Sequence, residues 1–123
     1  MPPTETTGRL TTHVLDTARG RPAEGLHLGL WRIEGATRTP LGQATTNSDG
    51  RTDAPLIAQG DLRPGTYEIV FEAGAYLRSR HPDLPEPPFL DLIPIRFGVS
   101  DPDAHHHVPL LLAPHGYSTY RGS

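Results

Sequence analysis

Three consecutive histidines near the end of the chain are its clearest candidates for chemistry. His105, His106 and His107 lie in a predicted strand, so His105 and His107 point to one face and His106 to the other. Two imidazoles side by side suit an acid–base pair or part of a metal site. His13, in an earlier predicted strand, would supply the third protein ligand of a catalytic zinc. A plain solvated strand end is the third interpretation, and spacing alone does not decide among the three.

Two other places carry polar groups suited to holding a ligand. Arg51 follows the Asp49–Gly50 turn. An isolated arginine usually only solubilises a surface, but its guanidinium fork also suits the carbonyl and imide edges of a heterocycle. The chain ends on the polar and aromatic segment Tyr117–Ser123. Most termini fray and carry no function, yet two tyrosines, an arginine and a terminal carboxylate can line a polar pocket.

The composition excludes several other kinds of chemistry. Without cysteine there is no thiol nucleophile, disulfide or thiolate metal site. All 11 basic residues are arginine, which excludes lysine bases and Schiff bases. A formal net charge of -3 argues against nucleic acid as a partner, and no apolar run approaches the roughly 18 residues of a membrane span. Met1–Thr7 lacks the basic flank and apolar stretch of a secretory signal. We therefore expect a soluble, cytoplasmic protein.

The elements that must position these residues are short strands. Apolar runs bounded by Gly, Pro and Asn-Ser-Asp-Gly turns predict an all-β sandwich or barrel. The length suits one domain, which we expect over 9–123 behind a flexible tail over 1–8. The predicted strands cover 10–16, 26–33, 41–46, 52–58, 66–72, 89–99, 105–112 and 117–121, with one short helix over 73–80 and a proline-rich loop over 81–88.

Four segments, taken in order, resemble the 5-hydroxyisourate hydrolases of the transthyretin-like family. Leu10–Asp16 resembles their N-terminal signature, Thr46–Arg51 their central motif and His107–Leu112 their last long strand. Gly116–Ser123 looks like the end of their chain. Its last four residues are the family hallmark, which the hormone carrier transthyretin does not keep. The resemblance runs from about Arg9 to the C-terminus.

This resemblance implies a fold, an assembly and a set of site residues. The fold is a transthyretin-like (prealbumin-like) sandwich of two antiparallel sheets, with about eight strands and one short helix. The assembly is a homotetramer with sites at subunit interfaces. No metal and no cofactor are implied. The implied catalytic residues are His13, Arg51, His107 and Ser123, and the implied substrate-binding residues are His13, Arg51, His105 and Tyr120.

The implied activity is that of a cyclic amide hydrolase of urate (purine) degradation. It opens the six-membered ring of 5-hydroxyisourate to give 2-oxo-4-hydroxy-4-carboxy-5-ureidoimidazoline. Such a step needs an activated water, a donor for the developing oxyanion and a grip on a flat polar ring. One imidazole of the His13/His107 pair would be the general base, and which of the two takes the proton stays open. Arg51 would orient the substrate, and Tyr120 and Ser123 would complete the pocket.

Three alternatives remain open on the sequence. A non-enzymatic transthyretin-like carrier or small-ligand binding module would share the fold without needing this set of His, Arg and C-terminal residues. A module resembling carboxypeptidase regulatory or adhesin repeats would share the Asp49–Gly50 and Pro64–Tyr67 patterns, but it normally sits inside a longer secreted protein. A zinc amidohydrolase predicts that chelators abolish activity.

Overall fold

Short alternating segments fold into eight strands and one helix in the described part of the chain. The structure, a computed structural model, describes residues 7–122 of the 123-residue sequence. The all-β class and the short helix expected from the sequence are confirmed. The total of eight strands also agrees, although one predicted strand does not form and the strand Arg21–Pro22 was not predicted. The elements are β1 (Arg9–Asp16), β2 (Arg21–Pro22), β3 (His27–Glu34), β4 (Thr37–Thr45), β5 (Gly65–Glu72), α1 (Ala73–Arg80), β6 (Leu92–Val99), β7 (His105–Ala113) and β8 (Gly116–Thr119).

Two four-stranded sheets enclose the hydrophobic core. The strand order is β2-β1-β7-β8 in the first sheet and β4-β3-β5-β6 in the second. Burial alternates along β1 and along the first half of β7, so every second residue packs into the core. Burying one large apolar side chain contributes about 1.5–3 kcal/mol, so the core decides which face of β1 and of β7 points outward. The fully buried core side chains include Leu10, Val14, Leu28, Ile69, Phe71, Leu110 and Leu112.

One strand pair departs from the expectation that both sheets are antiparallel. β1 and β7 run parallel, with Arg9 beside His105 and Thr11 beside His107, whereas the other ladders are antiparallel. A tight hairpin can join only antiparallel neighbours. These two strands come from opposite ends of the chain, so no short turn fixes their direction. The first sheet is therefore mixed, and its two central strands carry His13 and the three consecutive histidines.

Segment 52–58 was predicted to be a short strand, and this prediction is wrong. The segment runs along the edge of β1 and makes one isolated bridge there, between Leu10 and Ile57. Leu56 and Ile57 hydrogen-bond to the backbone of Leu10 in β1, and Pro55, which has no N–H group, adds no donor to this pairing. The segment is a connection that begins after Arg51 and lies beside β1 at Leu10.

Other boundaries differ from the predictions for local reasons. β4 begins before the predicted residue 41 because Gly35, with φ 61°, turns the chain tightly after β3. Pro40 lies on this edge strand next to the register shift opposite Leu30 and Trp31, where proline is tolerated. Arg21–Pro22 lies outside the predicted strands and pairs with the end of β1. β6 begins at Leu92 rather than at residue 89, and β8 covers Gly116–Thr119 rather than 117–121.

The helix and the loop that follows it agree with the prediction. α1 covers the predicted residues, and 81–88 forms neither helix nor strand. Within residues 7–122, no helix has the length and apolar character that crossing a membrane requires. Of the predicted tail, residues 1–6 lie outside the described part of the chain. Thr7 and Gly8 hydrogen-bond to Asp103 and Pro102, at 3.0 and 2.9 Å from their backbone nitrogens.

Candidate active site

The candidate site lies on the outer face of the first sheet, where β1 and β7 run side by side. Thr11 and His13 on β1 alternate with buried residues and are half-buried themselves. His105 and His107 on β7 do the same. The parallel register places Thr11 beside His107, and the His13 and His107 rings lie 6.5 Å apart between centroids. Two strands from opposite ends of the chain thus bring three imidazoles onto one surface.

The three consecutive histidines divide between the two faces as alternation predicted. His105 and His107 share the outer face, with ring centroids 5.9 Å apart. His106 is buried on the opposite face, and its Nδ1 lies 3.0 Å from the carbonyl oxygen of Ala104. His106 is therefore a buried residue whose side chain lies on the other side of the strand from His105 and His107.

Thr11 joins the two outward histidines, and sequence reasoning did not single it out. Its Oγ1 lies 2.6 Å from His105 Nε2 and 2.8 Å from His107 Nδ1. A threonine two residues before a candidate histidine on the same strand face is a weak signal by itself. The contact becomes visible only once the β1–β7 register is known.

Arg51 reaches the site through a tight turn that the sequence marks clearly. The Asn47 backbone N–H donates to the Arg51 carbonyl at 2.8 Å, and the Val14 N–H donates to the Gly50 carbonyl at 2.8 Å. Gly50 has φ 75°, and a Cβ there would lie 2.3 Å from the carbonyl oxygen of Val14, so only glycine fits. The turn ends in a backbone bridge between Arg51 and His13.

The electrostatics of the site favour the neutral form of His13, His105 and His107. Burial, followed by the positive charge of Arg51, lowers the pKa of His13, and this outweighs the raising effect of Asp49. Burial, then Arg51 and the neighbouring imidazoles, also lowers the pKa of His107. Burial and then Arg9 lower the pKa of His105. An imidazole that stays neutral has a free nitrogen that can accept a proton.

A cavity of about 230 Å³ opens beside Arg51 and His105. Arg9, Thr11, Arg51 and His105 line it, together with the start of the segment after Arg51. Two guanidinium groups, a hydroxyl and an imidazole thus converge on a space that suits a small polar molecule. In the part of the chain that the structure describes, no three His, Asp or Glu side chains are grouped as metal ligands would be.

The C-terminal segment returns to the same surface beside His107. The Gly122 N–H donates to the His107 carbonyl at 2.8 Å, and a Cβ at Gly122 would lie only 2.5 Å from Cδ2 of the His107 ring. Tyr120 is 57% exposed and lines a second cavity of about 280 Å³, which also reaches His107, with Ile95 and Phe97. Ser123, predicted to be catalytic, lies outside the described residues.

The comparison with known families decides the classification. A model of the HIUase/Transthyretin family matches residues 10–122. The chain belongs to this family. The resemblance seen in the sequence is therefore confirmed for nearly the whole chain.

A curated relative and a solved structure agree with this family. It is 60% identical over 116 residues to 5-hydroxyisourate hydrolase 2 of Rhizobium meliloti (strain 1021), covering 94% of this chain and 97% of the relative. Among solved structures, Klebsiella pneumoniae 5-hydroxyisourate hydrolase matches with TM-score 0.76 and 36% identity, over 94% of this chain and 99% of that one.

Two further solved structures share the fold. An (S)-allantoin synthase matches with TM-score 0.91 and 42% identity; the match covers 100% of this chain but only 46% of the synthase, so the chain spans about half of that protein. Sea bream transthyretin, solved with thyroxine, matches with TM-score 0.81 and 24% identity over 93% of this chain and 94% of that one. At that identity the likeness concerns the fold alone, and it agrees with the predicted transthyretin-like sandwich.

Proposed function

We propose that this chain hydrolyses 5-hydroxyisourate to 2-oxo-4-hydroxy-4-carboxy-5-ureidoimidazoline in urate (purine) degradation. The main observation behind the proposal is that Arg51 lies close to two imidazoles at one face of the first sheet. These imidazoles belong to His13 and His107, and the pKa of each is lowered. The 60% identity to a relative that bears this enzyme's name supports the same substrate.

The reaction needs one proton acceptor and one cationic group, and the site offers both. An imidazole of the His13/His107 pair takes a proton from water as its oxygen attacks the ring carbonyl carbon. The ring C–N bond then breaks, and the proton passes to the leaving nitrogen. No electrons are transferred, and water is the only co-reactant. Arg51 orients the planar ring and stabilises the negative charge that develops on the carbonyl oxygen. His105 and Arg9 line the adjacent cavity and contact the other edge of the ring.

The proposal includes a homotetramer with the site at a subunit interface. The edge strands β6 and β8 carry large apolar side chains that a partner would cover: Leu92 is 58% exposed and Tyr117 is 45% exposed. Phe89, before β6, is 73% exposed. The exposed Tyr120 and the terminal Ser123 would complete the pocket in the assembly. Light scattering that gives a fully active monomer of 13.4 kDa would contradict both the tetramer and the interfacial site.

A direct assay tests the function. The ultraviolet decay of freshly prepared 5-hydroxyisourate is followed with and without the protein, and with the protein plus a chelator. We expect protein-dependent decay that the chelator leaves unchanged. Binding of the substrate without faster decay would favour the carrier alternative, and loss of the decay with chelator would favour the zinc alternative.

Arg51→Lys is the matched variant for the same assay. It keeps the positive charge but loses the planar fork, so we expect clearly slower turnover. Arg78→Lys, an arginine of α1 outside the site, is the control and should behave as the parent. Equal turnover in the two variants would remove Arg51 from the mechanism. The cytoplasmic location expected from the sequence stays a prediction, which cell fractionation can test.

A further inference from the structure

The hydroxyl group of Thr11 lies between two imidazoles and has one proton to share. Its distances to His105 Nε2 and His107 Nδ1, 2.6 and 2.8 Å, are both those of good hydrogen bonds. The β1–β7 ladder holds Thr11 and His107 in adjacent positions. A β-branched side chain on a strand also has few rotamers. Thr11 is therefore placed by the fold, and its position does not depend on a ligand.

The two hydrogen bonds restrict which nitrogen of each histidine carries a proton. A hydroxyl donates one hydrogen bond and accepts others, and a neutral imidazole has one N–H and one bare nitrogen. If Thr11 donates to one ring, it must accept an N–H from the other. If the Thr11 oxygen accepted an N–H from both imidazoles, the hydroxyl hydrogen would have no acceptor among residues 7–122. The tautomers of His105 and His107 are therefore linked through this oxygen.

We propose that Thr11 is a positioning residue that holds His107 in the tautomer with a proton on Nδ1. His107 Nδ1–H donates to Thr11 Oγ1, and the Thr11 hydroxyl donates to the bare Nε2 of His105. His107 Nε2 is then free to take a proton from water. This inference rests on the proposed function, in which His107 belongs to the base pair. It adds the residue that makes this nitrogen available.

The same bond assists His107 after it has accepted a proton. The imidazolium then donates from Nδ1 to Oγ1 as a charge-assisted hydrogen bond, which is stronger than the neutral one. The effect acts on the protonated state, which forms during the reaction. A loss of Thr11 should therefore lower kcat more than it changes KM.

The test compares Thr11→Val, which keeps the shape and removes the hydroxyl, with Thr11→Ser, which keeps the hydroxyl. In protein labelled with ¹⁵N-histidine, the imidazole nitrogens report the tautomer, and a His107→Gln variant assigns the signals of His107. We expect a protonated Nδ1 and a bare Nε2 on His107 in the parent and in Thr11→Ser. In Thr11→Val we expect a mixture of tautomers.

Kinetics provide the second readout of the same variants. We expect kcat of Thr11→Val to fall about 10- to 100-fold. In metal sites, removing the hydrogen-bond partner that orients a ligating histidine lowers affinity or activity by about this factor. KM should change little, and Thr11→Ser should recover most of the turnover. Thr39→Val, on the exposed edge strand β4, controls for the loss of a strand hydroxyl and should keep the parent activity.

The outcomes separate this inference from the proposed function. Two results in an active parent enzyme would overturn the role of Thr11 and leave the proposed function standing. In the first, His107 carries its proton on Nε2. In the second, His107 has the same tautomer in Thr11→Val as in the parent. A parent protein without turnover overturns the proposed function, and the tautomer signals still decide whether Thr11 links the two rings. Melting curves of the variants show whether a loss of kcat merely follows unfolding.

Discussion

An added methyl group at Gly122 must displace His107 or the C-terminal segment. A Cβ there would lie 2.5 Å from Cδ2 and 3.2 Å from Cγ of the His107 ring, where ordinary contacts begin at 3.4 Å. Relief of the closest overlap needs a shift of about 1 Å, and a misplacement of about 1 Å in an active site can cost roughly 100-fold in rate. We therefore expect Gly122→Ala to lower kcat by about 100-fold.

The expected cost in stability is small by comparison. Gly122 follows β8 and packs outside the core, and its one backbone bond to the His107 carbonyl contributes about 1 kcal/mol. Losing this bond lowers Tm by only a few degrees, on the scale of about 2–8 °C per kcal/mol. The variant should thus be folded, with a melting curve close to that of the parent, and largely inactive.

Gly116→Ala is the matched control. Gly116 belongs to the same C-terminal segment, but a Cβ there would meet nothing within 4 Å. Turnover of 5-hydroxyisourate and melting temperature are measured for both variants and the parent. If Gly122→Ala and Gly116→Ala turn over the substrate equally, the packing of Gly122 against His107 has no part in catalysis and the reasoning fails.

The remaining predictions concern the histidines and the chain end. His13→Ala and His107→Ala should each slow turnover by roughly 100-fold or more, the usual scale for acid–base groups; near-normal turnover in either would exclude that residue. Because burial and Arg51 lower the pKa of both imidazoles from the ordinary 6.5, the acid-side fall of kcat/KM should have its midpoint below pH 6.5. Arg51→Gln removes the positive charge that lowers the pKa of His13 and His107, so these pKa values should rise. The acid-side fall of kcat/KM should then move to higher pH, and an unchanged position of this fall would contradict the assignment. Deleting 120–123 should abolish activity while the sandwich still melts cooperatively, and unchanged turnover would show the segment to be dispensable.

Local patterns in the sequence determined a large part of this protein. Alternation along β7 places His105 and His107 on one face and buries His106, because successive side chains of a strand point to opposite sides. The Asn-Ser-Asp-Gly turn before Arg51 was also predictable, since its glycine has a positive φ that other residues avoid. These features depend on neighbours in the chain, so the order of residues suffices to find them.

Only the tertiary structure decided which strands pair and which side chains they bring together. The parallel pairing of β1 with β7 joins opposite ends of the chain, and no local pattern specifies that direction or register. The same pairing sets Thr11 between two imidazoles, and the bridge of Arg51 to His13 depends on a turn packing against β1. Segment 52–58 looks like a strand but lacks a regular partner ladder. Long-range contacts of this kind form because they bury a core that all the strands share. The free energy of burying that core depends on all strands together, so the sequence of a single strand does not determine its partner.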